Sequence, residues 1–298
     1  MAIGGILPAL VTPFASDESV SFAAVRENIR LYNQTSLAGY VVLGSTGESV
    51  MLSHEEADGV LMAAKEAAAP DKLLVAGTGA ESTAETIERT RRAATFGYQF
   101  ALVKTPYYYK PAYRAETYLR HYRAVADASP IPILLYSVPQ FTGITLETPE
   151  ILKLSDHPNI VGIKDSSGNI QRAGELVAAA RSDFAVLTGG AAVVYPALAV
   201  GARGAILALA AVLPEKCTEL FDLVQQGQHA RARQLQQFLV QASKTIVSDN
   251  GIPGVKYAMD LRGYQGGLAR LPLLPLSEER RRSIAAVISQ LHPSPARV

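Results

Sequence analysis

NIVGIKDSSGN, residues 159–169, changes character halfway along. Ile160, Val161 and Ile163 make a short, β-branched apolar run that reads as a strand buried on both faces, and Ser166 to Asn169 make a polar turn containing a glycine. The same alternation runs through the chain, with brief apolar runs separated by longer amphipathic stretches. The candidate strands are Gly5–Val11, Gly39–Leu43, Leu73–Ala76, Phe100–Val103, Ile133–Tyr136, Ile160–Ile163, Ala185–Leu187 and Gly204–Leu207. Helical patterns fill the gaps, among them Phe22–Ser36, His54–Ala68, Thr83–Phe96, Ala115–Ala128 and Asn169–Ala180. Start signals stand before two of them: Ser53 precedes Glu55 and Glu56, and Ser82 or Thr83 precedes Glu85. Eight strands with helical crossovers predict an α/β chain of the (β/α)8 barrel (TIM barrel) type. Beyond the eighth strand the pattern turns wholly helical over Pro214–Val247, Ile252–Leu261 and Ser277–Leu291. We therefore expect a barrel catalytic domain over 1–212 and, packed on it, a three-helix C-terminal appendage over 213–298.

Composition narrows the class of partner. A hydrophobic content of 48% supports a large core, and a net charge of +1 leaves no basic footprint for nucleic acid, so a small molecule is expected. Cys217 is the one cysteine, which rules out an intrachain disulfide and any thiolate cluster for metal. The opening MAIGGILPALVTPF has no basic start and is broken by Gly5, Pro8 and Pro13, unlike a signal peptide. The most apolar stretch, YPALAVGARGAILALAAVLP (195–214), carries Arg203 and reads as helix, turn and strand rather than a membrane span. These features predict a cytoplasmic protein with no membrane partner.

Barrels place their chemistry at the carboxyl ends of strands. The second strand runs into VVLGSTGESVMLS (41–53), where Gly44 and Gly47 bracket Ser45 and Thr46. Such a turn can aim amides and hydroxyls at a carboxylate or phosphate, although a plain strand-to-helix turn fits as well; P-loop lysine spacing is missing. Lys164 closes the apolar run of the sixth strand. Partial desolvation there favours the neutral amine that attack on a ketone requires, while a lysine that snorkels outward or pairs with Asp165 stays open as the alternative. Lys104, before TPYYYKP (105–111), is a second candidate by the same logic, with less apolar surroundings. Tyr136 ends the fifth strand in LLYSVPQFTG (134–143), positioned either to move protons at the mouth or simply to close the core. Tyr107, Tyr108 and Tyr109, flanked by prolines, suggest a subunit contact or a substrate lid.

Taken together, GSTGES (44–49), TPYYY (105–109), LYSVP with TG (135–139 and 142–143) and GIKDSSG (162–168), in this order and spacing, resemble the dihydrodipicolinate synthase and N-acetylneuraminate lyase superfamily of Schiff-base barrels. The resemblance runs from Gly5 to the C-terminal helices. It implies that Lys164 forms the Schiff base with a pyruvate-like 2-oxo acid and that Tyr136 is the phenolic proton shuttle. It implies further that Ser45 and Thr46 hold the 2-oxo acid carboxylate, with Ser45 also relaying protons between Tyr136 and Tyr108. Tyr108 would reach a neighbouring subunit's site, which implies a homotetramer built as a dimer of dimers. Gly189 and Ile206 match positions lining the pyruvate end. Ser166, just beyond the lysine, is expected at the far end of the substrate, with a turn-capping role open beside it. No cofactor and no metal are expected, since the iminium itself is the electron sink.

Within the superfamily, lysine-biosynthetic members carry an arginine two residues after the proline of the tyrosine motif, where it clamps the aldehyde substrate's carboxylate. Phe141 stands there in this chain. Sialate lyases usually lack the KDSSGN turn. LYSVP, HPNIVGIKDSSGN and the tail GIPGVKYAMDLRGYQGG (251–267) look most like the 4-hydroxy-2-oxoglutarate aldolases, so cleavage to pyruvate and glyoxylate is the expected reaction. The alternatives are synthesis of 4-hydroxy-tetrahydrodipicolinate (dihydrodipicolinate), aldol cleavage of a 2-keto-3-deoxy sugar acid, and, outside enzymes, a regulatory barrel that binds a small acid.

Overall fold

The computed structural model describes residues 3–291; the outermost parts of the two expected regions, residues 1–2 and 292–298, lie outside it. Eight parallel strands form one sheet: β1 (Gly5–Pro8), β2 (Gly39–Val42), β3 (Leu73–Gly77), β4 (Phe100–Lys104), β5 (Ile133–Ser137), β6 (Ile160–Asp165), β7 (Ala185–Thr188) and β8 (Gly204–Leu207). Their order, β1-β8-β7-β6-β5-β4-β3-β2, makes sequence neighbours spatial neighbours and brings the first strand to the last. The ring closes at β1 and β2 through a parallel bridge between Ala9 and Val41 and through two amide bonds, Ala38 N–H to Ile6 O and Leu10 N–H to Val41 O, each 2.9 Å. β1 stops at Pro8, short of the expected Val11, because Ala9 and Leu10 turn from β8 to β2.

Side chains along a strand alternate, which sorts them into two apolar sets. Leu7, Val41, Val75, Leu102, Leu134, Leu187 and Ile206 fill the barrel interior together with Tyr136. Ile6, Tyr40, Val42, Leu74 and Ala76 point the other way and pack under the outer helices. At the seam, Gly204 lies so close to β1 that a Cβ would meet the Gly5 carbonyl oxygen at 2.0 Å.

Each of the first seven strands is followed by a helix of six or more residues, namely Phe22–Tyr32, His54–Ala67, Thr83–Thr95, Ala115–Ala128, Thr148–Ser155, Ile170–Ala179 and Val194–Ala199, with a single turn at Pro139–Thr142 also after β5. Ser53 forms a capping box with Glu56, and the Ser82 hydroxyl accepts from the Glu85 amide. The first helix ends at Tyr32 rather than Ser36. Asn33 is its C-cap, with its amide still bonded to Ile29 O, while its side chain accepts from the Tyr40 hydroxyl and the Ala69 amide and donates to Ala67 O.

The stretch expected to be one helix from Pro214 to Val247 is two. Pro214–Gln225 is ended by Gly227 at φ +70°, a left-handed conformation suited to glycine, and His229–Ser243 begins beyond it and continues through a π-turn at Lys244–Ser248. Pro214–Gln225 thus serves as the eighth helix of the ring, and the appendage is formed by His229–Ser243, Gly251–Leu261 and Glu278–Ser289. One apolar cluster runs from Ile6 and Tyr40 through Leu220 to Leu239, Val255 and Ile284, so we propose the 212/213 division as one of chain order within a shared core. Among the described residues, no helix is long and apolar enough to cross a membrane.

Candidate active site

Lys164 sits near the carboxyl end of β6, paired in register with Tyr136 of β5. Side chains at paired positions in a parallel sheet project to the same side, which brings the two together in the barrel interior. The Lys164 Nζ lies 4.3 Å from the centroid of the Tyr136 ring, and both residues are only 4% exposed. The alternatives left open by the sequence are thereby decided: Lys164 does not snorkel outward, and Asp165 faces elsewhere. The Asp165 carboxylate accepts from the Ser167 amide and hydroxyl, each at 3.0 Å, and stands 3.5 Å from Arg172 Nε. Among the described residues no carboxylate lies within ion-pairing distance of Lys164.

The Tyr136 hydroxyl lies 3.3 Å from Ser45 Oγ, which starts a tight turn, Ser45–Gly47, directly after β2. Thr46 is beside Ser45 in that turn and partly exposed. Ile206 is fully buried in the interior cluster that contains Tyr136. Gly189, beyond β7, presses on Ser166: a Cβ at 189 would stand 1.9 Å from Ser166 Oγ. Tyr108 is not brought to these groups within one chain. It is 72% exposed, and its ring meets that of Tyr109 edge-on with centroids 5.1 Å apart.

Above the interior layer opens a cavity of about 260 Å³ lined by Ser45, Tyr136, Lys104, Tyr107 and Phe141, among others. Lys164 meets this wall through the Tyr136 ring rather than lining the cavity itself. Phe141 is 62% exposed at its rim. Lys104 ends β4 in register with Tyr136, its Nζ 3.5 Å from Glu81 Oε1 and 5.0 Å from the centroid of the Tyr107 ring.

The turn carrying Ser45 and Thr46 is fastened by residues that sequence reasoning missed. Glu48 follows it at φ +53°, an uncommon conformation for a side chain other than glycine, and turns its carboxylate inward. Lys256 of the C-terminal region meets that carboxylate at 2.5 Å; the two side chains are 1% and 0% exposed. Lys256 also donates to Thr12 O and Leu268 O, and the Arg270 amide donates to the other Glu48 oxygen at 2.9 Å. The Thr12 hydroxyl donates to Gly47 O at 2.6 Å. Burial pushes the Lys256 ammonium below its ordinary range, and Glu48 opposes that shift. The one trace of this clamp in the sequence is a lysine inside a mostly apolar helix, GIPGVKYAMDL.

A parallel eight-stranded barrel of this kind, with a sheltered lysine against a strand-end tyrosine, is the architecture of the Schiff-base, aldolase-type lyases, and this chain is an enzyme of that class. The model of the "Dihydrodipicolinate synthetase family" matches residues 2–291. A 4-hydroxy-tetrahydrodipicolinate synthase of Methanothrix thermoacetophila is 37% identical over 289 residues, 96% of each chain. A crystal structure of a dihydrodipicolinate synthase from Bacillus anthracis superposes with a TM-score of 0.93 at 31% identity, covering 99% of this chain and 100% of that one. The Acinetobacter baumannii enzyme, solved as a complex with pyruvate, gives 0.92 at 32% identity over 97% and 98%. The chain belongs to the dihydrodipicolinate synthetase family.

Proposed function

We propose that the protein forms a Schiff base between Lys164 and pyruvate, and joins that pyruvate to an aldehyde or releases it from one. The observation that carries this reading is the buried Lys164 amine, free of any carboxylate partner among the described residues and seated on the Tyr136 ring. The amine adds to the C2 ketone, and the carbinolamine loses water with a proton from Tyr136. In synthesis the resulting iminium acidifies C3, whose proton passes to the Tyr136 oxygen left deprotonated by the dehydration, and the enamine so formed attacks the aldehyde carbonyl. In cleavage the same iminium accepts the electrons of the breaking C3–C4 bond while Tyr136 takes the C4 hydroxyl proton. Ser45, 3.3 Å from the Tyr136 hydroxyl, relays that proton, and Ser45 with Thr46 holds the pyruvate carboxylate. Ile206 and Gly189 bound the pyruvate end, and Ser166 faces the rest of the substrate. The relay's outer member, Tyr108, requires a second copy of the chain, and the exposed Tyr108–Tyr109 pair supports assembly through this loop into a homotetramer.

The names of the relatives support synthesis of 4-hydroxy-tetrahydrodipicolinate, with aspartate semialdehyde as the aldehyde. One observation favours a second reading. Phe141 stands at the cavity rim where the synthases' carboxylate-clamping arginine is expected, and this supports cleavage of a 4-hydroxy-2-oxo acid such as 4-hydroxy-2-oxoglutarate. Borohydride reduction in the presence of pyruvate, followed by peptide mass mapping, tests the shared chemistry: the adduct is expected on Lys164 and absent from Lys164→Ala. Unmodified protein would leave a barrel that only binds small acids. Turnover of aspartate semialdehyde against pyruvate release from 4-hydroxy-2-oxo acids then separates the two readings.

A further inference from the structure

Among the described residues lining the cavity, Lys104 is the only cationic side chain, and the one carboxylate there, Glu48, is already committed to Lys256. We infer that Lys104 receives a carboxylate on the aldehyde partner, taking over the task of the arginine absent at position 141, and that the site therefore selects acidic aldehydes over neutral ones. This rests on the Schiff-base reading of Lys164.

Three features make Lys104 a built receptor rather than a stray surface charge. Its place in β4 is in register with Tyr136, which is in turn in register with Lys164, so adjacent strands put the cation, the phenol and the amine in one layer of the barrel, with the phenol between the two lysines. Its stem is seated against Gly79, where a Cβ would meet Lys104 Cγ at 2.8 Å and the Lys104 amide nitrogen at 2.6 Å; only a glycine leaves room for it. Its partner is held by other groups. Glu81 Oε2 accepts from the amides of Tyr107 and Tyr108, at 2.9 and 2.8 Å, which leaves Oε1 a long 3.5 Å contact with Nζ. An ammonium has three N–H donors, and this contact engages one. Burial draws the Lys104 ammonium below its usual range, and Glu81 counters that shift without saturating the group. A point charge on a flexible stem meets a carboxylate without the bidentate geometry of an arginine, which suits acceptors of more than one length.

The test pairs aldehydes of equal carbon number with and without a carboxylate, namely glyoxylate with acetaldehyde and succinate semialdehyde with butanal, each supplied with pyruvate. Wild type is expected to prefer the acidic member of at least one pair. Lys104→Met should lower kcat/KM for that acid about 10- to 100-fold, mainly through KM, the loss of one charge-assisted contact. Its effect on the neutral member should stay within about 3-fold, and borohydride trapping of pyruvate on Lys164 should survive. Lys104→Arg should retain most of the preference and stands in if the methionine variant does not fold. Equal losses for acidic and neutral aldehydes, an unchanged preference, or a wild type that traps pyruvate yet prefers no acid would overturn the inference. Absence of trapping in wild type would instead overturn the Schiff-base reading.

Discussion

Lys256→Met removes the cation from a site where both it and Glu48 are buried. The Glu48 carboxylate loses its ion-pair partner, 2.5 Å away, while remaining fully buried, and Thr12 O and Leu268 O each lose a donor. The ammonium's contact with the Phe14 ring, 4.5 Å from the centroid, goes as well. Truncating one member of a buried pair costs about 3–5 kcal/mol, most of it the penalty on the charge left behind. An unfolding entropy of about 2.1 cal/mol/K per residue over 298 residues amounts to roughly 0.6 kcal/mol/K. Unfolding followed by circular dichroism at fixed protein concentration should therefore show Tm lower by about 5–8 °C. Because the lost contacts anchor the turn bearing Ser45 and Thr46, pyruvate trapping should weaken at temperatures where the variant is still folded. The decisive comparison is Glu48→Met combined with Lys256→Met. Removing both charges abolishes the desolvation penalty, and the double variant should recover at least about 2 kcal/mol relative to Lys256→Met alone. A single variant within about 1 kcal/mol of wild type, or a double variant as damaged as the sum of the two singles, would refute the clamp.

Other consequences are open to measurement. His121 is buried, and burial first and Lys104 second push its pKa down to about 4 from an ordinary 6.5, so the unfolded chain takes up a proton that the folded one refuses. Stability should be level above about pH 6.5 and fall by up to roughly 3 kcal/mol as pH drops toward 4, a slope that calorimetry should find flattened in His121→Leu. Tyr136→Phe keeps the ring under Lys164 but removes the hydroxyl facing Ser45, so turnover should drop by about 10²–10⁴-fold with the fold intact; activity within a few-fold of wild type would exclude Tyr136 as the proton carrier. Gly204→Ala drives a methyl into the Gly5 carbonyl, with only backbone to give way. It should destabilise the barrel seam by about 3 kcal/mol or more in denaturant titration.

The parts of this molecule that were readable in one dimension are those whose cause is local. A strand buried on both faces has to be apolar along its whole length, so all eight are legible; Lys164 and Tyr136 each end such a run, but the runs alone leave a snorkelling lysine and a core tyrosine open, and only the resemblance singles the two out. Strand and helix ends depended on partners far away in sequence. Asn33 caps its helix with its side chain on Tyr40 and Ala69, and Ala9 both bonds Leu207 of β8 and bridges Val41 of β2. Glu48 and Lys256 are separated by most of the chain, and nothing near either one shows that the C-terminal helices carry the lysine back to the β2 turn. Lys104 makes the same point in the opposite direction. Its immediate neighbours rank it below Lys164 as a nucleophile, and the structure adds a physical difference: Glu81, from the loop after β3, stands 3.5 Å from its Nζ, while among the described residues no carboxylate stands within ion-pairing distance of Lys164. An uncharged amine is needed to attack a ketone and a charged one to grip a carboxylate. On the proposed reading, two lysines in one layer, with a carboxylate beside only one of them, would serve opposite ends of a substrate that carries both groups.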